Sequence, residues 1–322
     1  MIRQSDAGRV LQLRLAYGAV VANAGIAVTG CVVRVTGSGL GCPTWPQCVP
    51  GSMTPVAHPE LESLHQWIEY GNRLLTTVVG LVVGLSVLVA WRSRARRPRP
   101  LKLSVIMLGG IAAQAVLGGA TVLTGLLWWT VAVHLLASTA LVWLSVLLVD
   151  SIDEPGHSRG RVPPAITGLL GFQVSVLSAV LIAGTLVTAA GPHAGDQAVS
   201  RLGLPPDALA HVHSSLLFLF LGLLVGLGAI LRLRSTGGRP WRRYLQLLGL
   251  VLGQGAVGLV QLWTGVPAAL VTLHVLGAMA ITAGTASLWC AIRQEGTLAP
   301  LPEAIAVPSD ESPLLRTARQ KG

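Results

Sequence analysis

The chain has 322 residues, 52% of them hydrophobic and only 11% charged, with a mean hydropathy of +0.65. That composition excludes an ordinary soluble domain and points to an integral membrane protein. The net charge of +10 would raise nucleic acid as a partner for a soluble chain, but the placement of the basic residues argues against it.

A bilayer core needs about 20 apolar residues per helix. Eight stretches meet that need, at roughly 14–33, 68–91, 103–124, 127–149, 165–190, 209–231, 244–264 and 268–291. The first has no small-residue cleavage site and is followed by further spans, so it is expected to be a span and not a cleavable signal. With residue 1 in the cytoplasm, 20 of the 23 Lys and Arg residues fall on that side. They cluster at Arg92, Arg94, Arg96, Arg97, Arg99 and Lys102, and at Arg232, Arg234, Arg239, Arg242 and Arg243; only Arg34, Arg73 and Arg201 lie outside. This asymmetry predicts a multi-pass protein of the plasma membrane with both termini cytoplasmic. The basic runs set topology and touch anionic lipid, and no nucleic acid partner is expected.

Between the first two spans lies a long outer loop, 34–66, rich in Gly and Pro. Cys42 and Cys48 flank Pro43-Thr44-Trp45-Pro46-Gln47 within it, and Cys31 lies just inside the preceding helix. On the oxidising side a Cys42–Cys48 disulfide is predicted. It reads equally as a structural clip or as a redox-active pair, because a short, exposed loop disulfide is the labile kind. None of the cysteine spacings suits zinc, Cys290 reads as an inert thiol, and no Cys-x-x-Cys-His occurs for covalent heme attachment. The connections between spans 3 and 4 and between spans 7 and 8 are only a few residues long. The tail after Arg293 is expected to be disordered.

The sequence repeats. Gln114-x3-Gly118, Thr124-Gly125 and His134 recur as Gln254-x3-Gly258, Thr264-Gly265 and His274, every offset being 140. Gly80-x3-Gly84 echoes Gly222-x3-Gly226, and Thr-Gly-Ser-Gly at 36–39 stands where Ala-Gly-Pro-His stands at 190–193. Four spans return the chain to its starting side, so the halves share one orientation about an axis along the membrane normal. The predicted fold is an all-α integral membrane protein, its eight transmembrane helices forming two tandem, parallel-repeat four-helix bundles. The first bundle covers 1–150, the second 151–292, and a cytoplasmic tail covers 293–322. The Gly-x3-Gly pairs are expected at close helix contacts.

Ionisable groups inside a membrane are costly unless paired, hydrated or bound to something. Glu69, His134, His213 and His274 all lie early in even-numbered spans, hence toward the outer face at similar depth. His213 and His274, on facing helices, suit the two axial positions of a six-coordinate b-type heme. His211 points roughly 200° away around the helix, so one of the two faces the iron; His213 is preferred and His211 stays open. In the first half, His134 finds no histidine in span 2. The nearest candidates are Glu69 and Asn72, or His65 reaching in from one turn earlier; a five-coordinate iron is the alternative. Glu69 beside such an iron suits proton transfer or stabilisation of a cationic intermediate, and it also suits an i,i+4 ion pair with Arg73. His58, His157 and His193 read as solvated loop histidines, with His193 a weak candidate for touching a propionate. Two other classes fit parts of this pattern: a non-catalytic b-type cytochrome electron carrier, and a parallel-repeat transporter. The transporter would want helices broken at mid-membrane, whereas the polar set here clusters toward one face.

The run Val33-Arg34-Val35-Thr36-Gly37-Ser38-Gly39-Leu40-Gly41-Cys42-Pro43-Thr44-Trp45-Pro46-Gln47-Cys48 resembles the first outer loop of the bacterial heme A synthase family. Ile68-Glu69-Tyr70-Gly71-Asn72-Arg73-Leu74-Leu75 is similar to that family's Glu-x-x-His-Arg motif. The resemblance extends over nearly the whole chain. It implies oxidation of the C8 methyl of heme O to a formyl group by successive hydroxylations, giving heme A for the terminal oxidase. It implies a heme b cofactor in the C-terminal bundle, on His213 and His274, and a substrate heme in the N-terminal bundle, with His134 as one ligand. It assigns Glu69 as the catalytic carboxylate and Cys42 and Cys48 as the outer-loop pair. Heme O synthase (the farnesyltransferase) and cytochrome oxidase assembly factors are the partners it implies. One departure stands out: the family's span-2 histidine falls at Asn72 here.

Overall fold

A computed structural model describes residues 2–56, 62–93, 95, 97–153, 162–193, 199–234 and 238–295. His58, His157, Arg94, Arg96 and the tail beyond residue 295 lie outside the described residues. The chain forms α1 (Ile2–Val35), α2 (Ser63–Arg92), α3 (Pro98–Leu123), α4 (Trp128–Asp153), α5 (Pro164–Ala190), α6 (Pro206–Leu233), α7 (Gly238–Trp263) and α8 (Ala268–Glu295). Proline opens α3, α5 and α6, where its fixed φ suits a first turn and its missing N–H costs nothing. All eight helices are long and apolar enough to cross a membrane, the shortest having 26 residues, about 39 Å at 1.5 Å per residue. They outrun the eight apolar stretches because the helices continue through polar ends; α1, for example, begins at Ile2. Large apolar side chains stand on their outer faces, with Val21 71%, Phe218 70% and Trp263 74% exposed. Faces of that kind belong against lipid, and the chain is a multi-pass membrane protein.

Helices α1–α4 pack in a ring of neighbours, α1 on α2, α2 on α3, α3 on α4 and α4 on α1; α5–α8 pack in a second ring of the same order. Thus α2 lies diagonally across from α4, and α6 from α8. The rings meet along α1, α4, α5 and α8. One apolar core, with Val83, Met107 and Leu148, fills the first ring, and another, with Phe220, Leu224 and Leu247, fills the second. Ala27, Val142 and Met279 pack at the junction. In lipid the hydrophobic drive between helices is absent, so packing and interhelical hydrogen bonds hold them. Buried Asn23 on α1 donates to Ser145 Oγ on α4 at 3.1 Å, a bond worth roughly 0.6 kcal/mol in such a setting. At the arginine-rich end the rings are tied by Gln294 Nε2 donating to Asp150 Oδ1 at 2.6 Å and by Arg239 with Asp153 at 3.2 Å.

The α3–α4 and α7–α8 turns share one geometry. Leu126 N–H donates to Thr121 O, and Val266 N–H to Gln261 O, each at 2.8 Å. This is a Schellman-type stop carried by two left-handed residues in succession, Gly125–Leu126 and Gly265–Val266. Glycine takes that conformation freely, whereas leucine and valine are strained in it. Each strained residue is gripped by the loop after its ring's first helix. Leu126 fills the space where a Cβ on Gly39 would sit, and Val266 O lies 2.8 Å from His193 Nε2. His193, expected to be solvated, is therefore part-buried and held against this turn.

The Gly-x3-Gly expectation fails. A Cβ added at Gly80, Gly84, Gly222 or Gly226 would meet nothing within 4 Å. The tight glycines lie elsewhere: Gly110 against Leu141, Gly228 against the Tyr244 ring and Gly277 against Gln254. Spacing alone does not say which face of a helix meets a bulky neighbour.

Candidate functional site

In the second ring, α6 and α8 present His213 and His274 to each other across the diagonal. Their ring centroids are 6.2 Å apart with planes at 53°. A metal at about 2.0–2.1 Å from a ring nitrogen on each side separates two imidazole centroids by roughly 6 Å, so the pair has room for one ion between them. His213 Nδ1 lies 2.9 Å from Val180 O on α5. A nitrogen facing a carbonyl carries the proton, which leaves Nε2 unprotonated and able to ligate a metal. Glycines make the room: a Cβ on Gly184 would stand 3.1 Å from His213 Cε1, and one on Gly258 3.3 Å from His274 Cε1. Gln254 Nε2 donates to His274 O at 2.8 Å, and His274 Nδ1 is buried without a hydrogen-bond partner among the described residues. His211 is exposed on the same helix.

An open cavity of two lobes, about 480 and 160 Å³, lies in the first ring, the smaller lobe bounded also by Thr188 of α5 and by Val271 and Val275 of α8; both are lined by Arg34, Asn72, Gln114 and His134. The larger lobe adds Trp45, Glu69 and Arg73. His134 on α4 is held as His274 is: Gln114 Nε2 donates to His134 O at 3.0 Å, and a Cβ on Gly118 would meet the imidazole at 3.5 Å. Two buried polar atoms here, His134 Nδ1 and Gln114 Oε1, have no hydrogen-bond partner among the described residues, as expected where a polar ligand binds.

Glu69, 5% exposed, is fixed on both oxygens. Oε2 accepts the Cys42 N–H at 2.7 Å, and Oε1 accepts from Arg73 Nε at 3.1 Å and also from Nη2. The expected i,i+4 ion pair is thus formed, and the same carboxylate stands in the wall of the His134 cavity. Arg73 continues into the loop, donating from Nη1 to Thr44 O and Gln47 O at 2.9 and 3.1 Å, and from Nη2 to Cys42 O at 2.7 Å. The loop is wrapped around this one guanidinium. The Cys42–Cys48 disulfide is present, but both cysteines are 0% exposed, which corrects the expectation of an exposed bridge. Gly41 lies against the His65–Gln66 backbone with no room for a Cβ, and the Trp45 indole rests on α3 at Gly119. These two contacts clamp the loop over the cavity.

Asn72 Oδ1 accepts from Thr29 Oγ1 at 2.7 Å, which braces α2 against α1. His65 is turned the other way, its Nε2 3.9 Å from Glu62 Oε2, and it does not line either lobe. The sequence pattern marked Gln114 and Gln254 as repeat positions but not as braces of the histidine helix. It gave no sign that Arg34 and Trp45 line the cavity.

A histidine pair in one ring, and a cavity walled by a histidine and a carboxylate in the other, define a polytopic helical membrane protein with two unlike polar centres. A profile of the COX15-CtaA family, described as cytochrome oxidase assembly protein, matches residues 13–197, and the chain belongs to that family. It is 28% identical over 270 residues to the heme A synthase of Alkalihalophilus pseudofirmus, covering 78% of this chain and 88% of that one. Similarity to the heme A synthase of Halalkalibacterium halodurans is 26% over 267 residues, with 78% and 87% covered. A shorter match to the Shouchella clausii heme A synthase is 31% identical over 144 residues, covering 44% and 46%.

Proposed function

We propose that the chain is a heme A synthase that oxidises the C8 methyl of heme O to a formyl group. The observation that carries this reading is that Glu69 and His134 line one cavity while a separate histidine pair stands in the other ring. Methyl to formyl removes two hydrogens and adds one oxygen, a four-electron oxidation: with the oxygen taken from water, R–CH3 and H2O give R–CHO, four protons and four electrons, the electrons passing to an external acceptor. The substrate heme occupies the first ring with its iron at His134. Glu69, oriented by Arg73 and by the Cys42 N–H, receives protons from the reacting carbon's side of the cavity. Trp45 and the disulfide-closed loop keep that carboxylate out of bulk water, where it would be less well oriented. Asn72, amide-bearing and held by Thr29, leaves the second face of the substrate iron weakly ligated, which favours entry and release. His213 and His274 hold heme b, which when bound supplies one-electron transfer.

The two rings are tandem copies related by an axis along the membrane normal, divided as 1–150 and 151–292. The matched turns and glutamine braces support this. The protein lies in the plasma membrane with both termini cytoplasmic, as the arginine distribution favours. Heme O synthase and oxidase assembly factors are its partners.

The test is heme A production in cells supplied with heme O. Glu69→Ala abolishes it, while Asn72→Ala lowers it less than about threefold, since an amide contributes little ligation. Equal loss in both variants would remove Glu69 from its special role.

A further inference from the structure

Most of the wall around the first-ring cavity is shut. Thr188, Val271 and Val275 of the second ring back the smaller lobe. Val79 and Val83 of α2 pack with Met107 and Ile111 of α3 on the side away from the loop. Over the other side lies the loop, held by Arg73 and by the close approach of Gly41 to the His65–Gln66 backbone. Among the described residues that line the two lobes, only Trp45, Pro46, Met53, Leu74 and Thr77 are exposed. Leu74 and Thr77 stand one turn apart in the loop-side half of α2, and Trp45 reaches from the loop onto α3 at Gly119. The exposed rim therefore runs from α2 to α3 beneath Trp45. Its members carry no charge and are apolar apart from the Thr77 hydroxyl. On the α3 side the small residues Ala115 and Gly118 line the cavity and leave the gap wide.

We propose that this opening is a lateral portal to the lipid, through which the isoprenoid tail of heme O leaves the first ring while the tetrapyrrole sits at His134. Substrate and product cross the same portal on entry and release. The inference rests on the heme A synthase reading and deepens it. A tail that stays in lipid keeps its apolar surroundings and exposes no hydrocarbon to water. A tail folded back into the cavity would compete with the tetrapyrrole for space and lie against Gln114 and His134, whose buried polar atoms it cannot satisfy. A route past the loop would carry the tail through water. Large apolar faces on the surrounding helices show that lipid lies outside the rim, and Trp45 at its head suits the boundary between lipid and water. Leu74 and Thr77 thus set how well a tailed heme is accepted; Glu69 and His134 remain the groups that meet the tetrapyrrole.

The test is an absorbance titration of the purified protein, as isolated, with heme O and with heme B, which shares the tetrapyrrole and propionates but lacks the tail. The part of each signal that is lost in His134→Ala is the first-ring binding. Thr77→Trp narrows the portal and is expected to weaken heme O binding about tenfold to a hundredfold, the usual scale of overpacking, while heme B affinity is unchanged and the association of both hemes slows. Leu74→Trp, on the same rim, gives the same pattern. Val133→Trp is the control, since Val133 is exposed on α4 and does not line either lobe; it leaves both hemes unaffected. Equal weakening of heme O and heme B in Thr77→Trp and Leu74→Trp marks the rim as structural and overturns the inference alone. So does heme O affinity that neither variant changes. A wild type that binds neither heme at the first ring overturns the synthase reading and this inference with it.

Discussion

His134 and His274 occupy matching surroundings up to a point. Each backbone carbonyl accepts a bond from a glutamine 20 residues earlier, Gln114 or Gln254, and each imidazole lies against a helical glycine. Beyond that the rings diverge. Across from His274 stands His213, its orientation set by Val180 O. With His134 the first ring offers Asn72, tied to Thr29, and Glu69, tied to Arg73 and the loop. One ring carries a facing histidine pair and the other an open cavity with a fixed carboxylate. Two strong ligands suit a resident group, whereas a substrate needs a site it can leave, so the difference follows the division of labour proposed for the two rings.

The comparison can be broken most severely at the histidines. His274→Ala is expected to strip the resident heme from the purified protein, while His134→Ala leaves it at the wild-type level and empties the substrate site instead. Pyridine hemochrome quantitation reads both, and equal loss of resident heme in the two variants would erase the distinction. Asn72→His sharpens the comparison by making the first ring resemble the second. The substrate heme should then be retained through purification several-fold more than in wild type, with turnover slowed, measured as heme O or heme A per chain and as product formed over time. A smaller effect is expected from Cys42→Ser with Cys48→Ser. The loop stays clamped by Arg73, Gly41 and Trp45, but the Cys42 N–H that orients Glu69 is less firmly placed. Heme A production should fall several-fold without vanishing, and resident heme should be unchanged. A production rate as low as that of Glu69→Ala would make the disulfide itself part of the chemistry.

Much of this was legible in the sequence because membrane helices leave few choices. Apolar length gave the eight helices, and the offsets of 140 placed His134 and His274 in equivalent settings. The even-numbered position of α6 and α8 put His213 and His274 at one depth. The loop was less legible. Its cysteines could be paired from compartment and spacing, but their burial depends on Arg73 gathering carbonyls from Cys42, Thr44 and Gln47, which no local pattern announces. The Gly-x3-Gly pairs misled because packing is decided by the opposing side chain: Gly228 meets Tyr244, whereas Gly222 and Gly226 meet nothing. Arg34 reads in the sequence only as an outer-side charge. Its place in the cavity wall follows from the ring of helices closing around it.

The measurement that tests the central claim most directly is acid–acetone extraction of the purified protein after co-expression with a heme O source, with the hemes separated by chromatography. The account predicts heme B together with heme O or heme A, one group for each ring. Two heme B per chain with neither heme O nor heme A, or no heme at all, would contradict it.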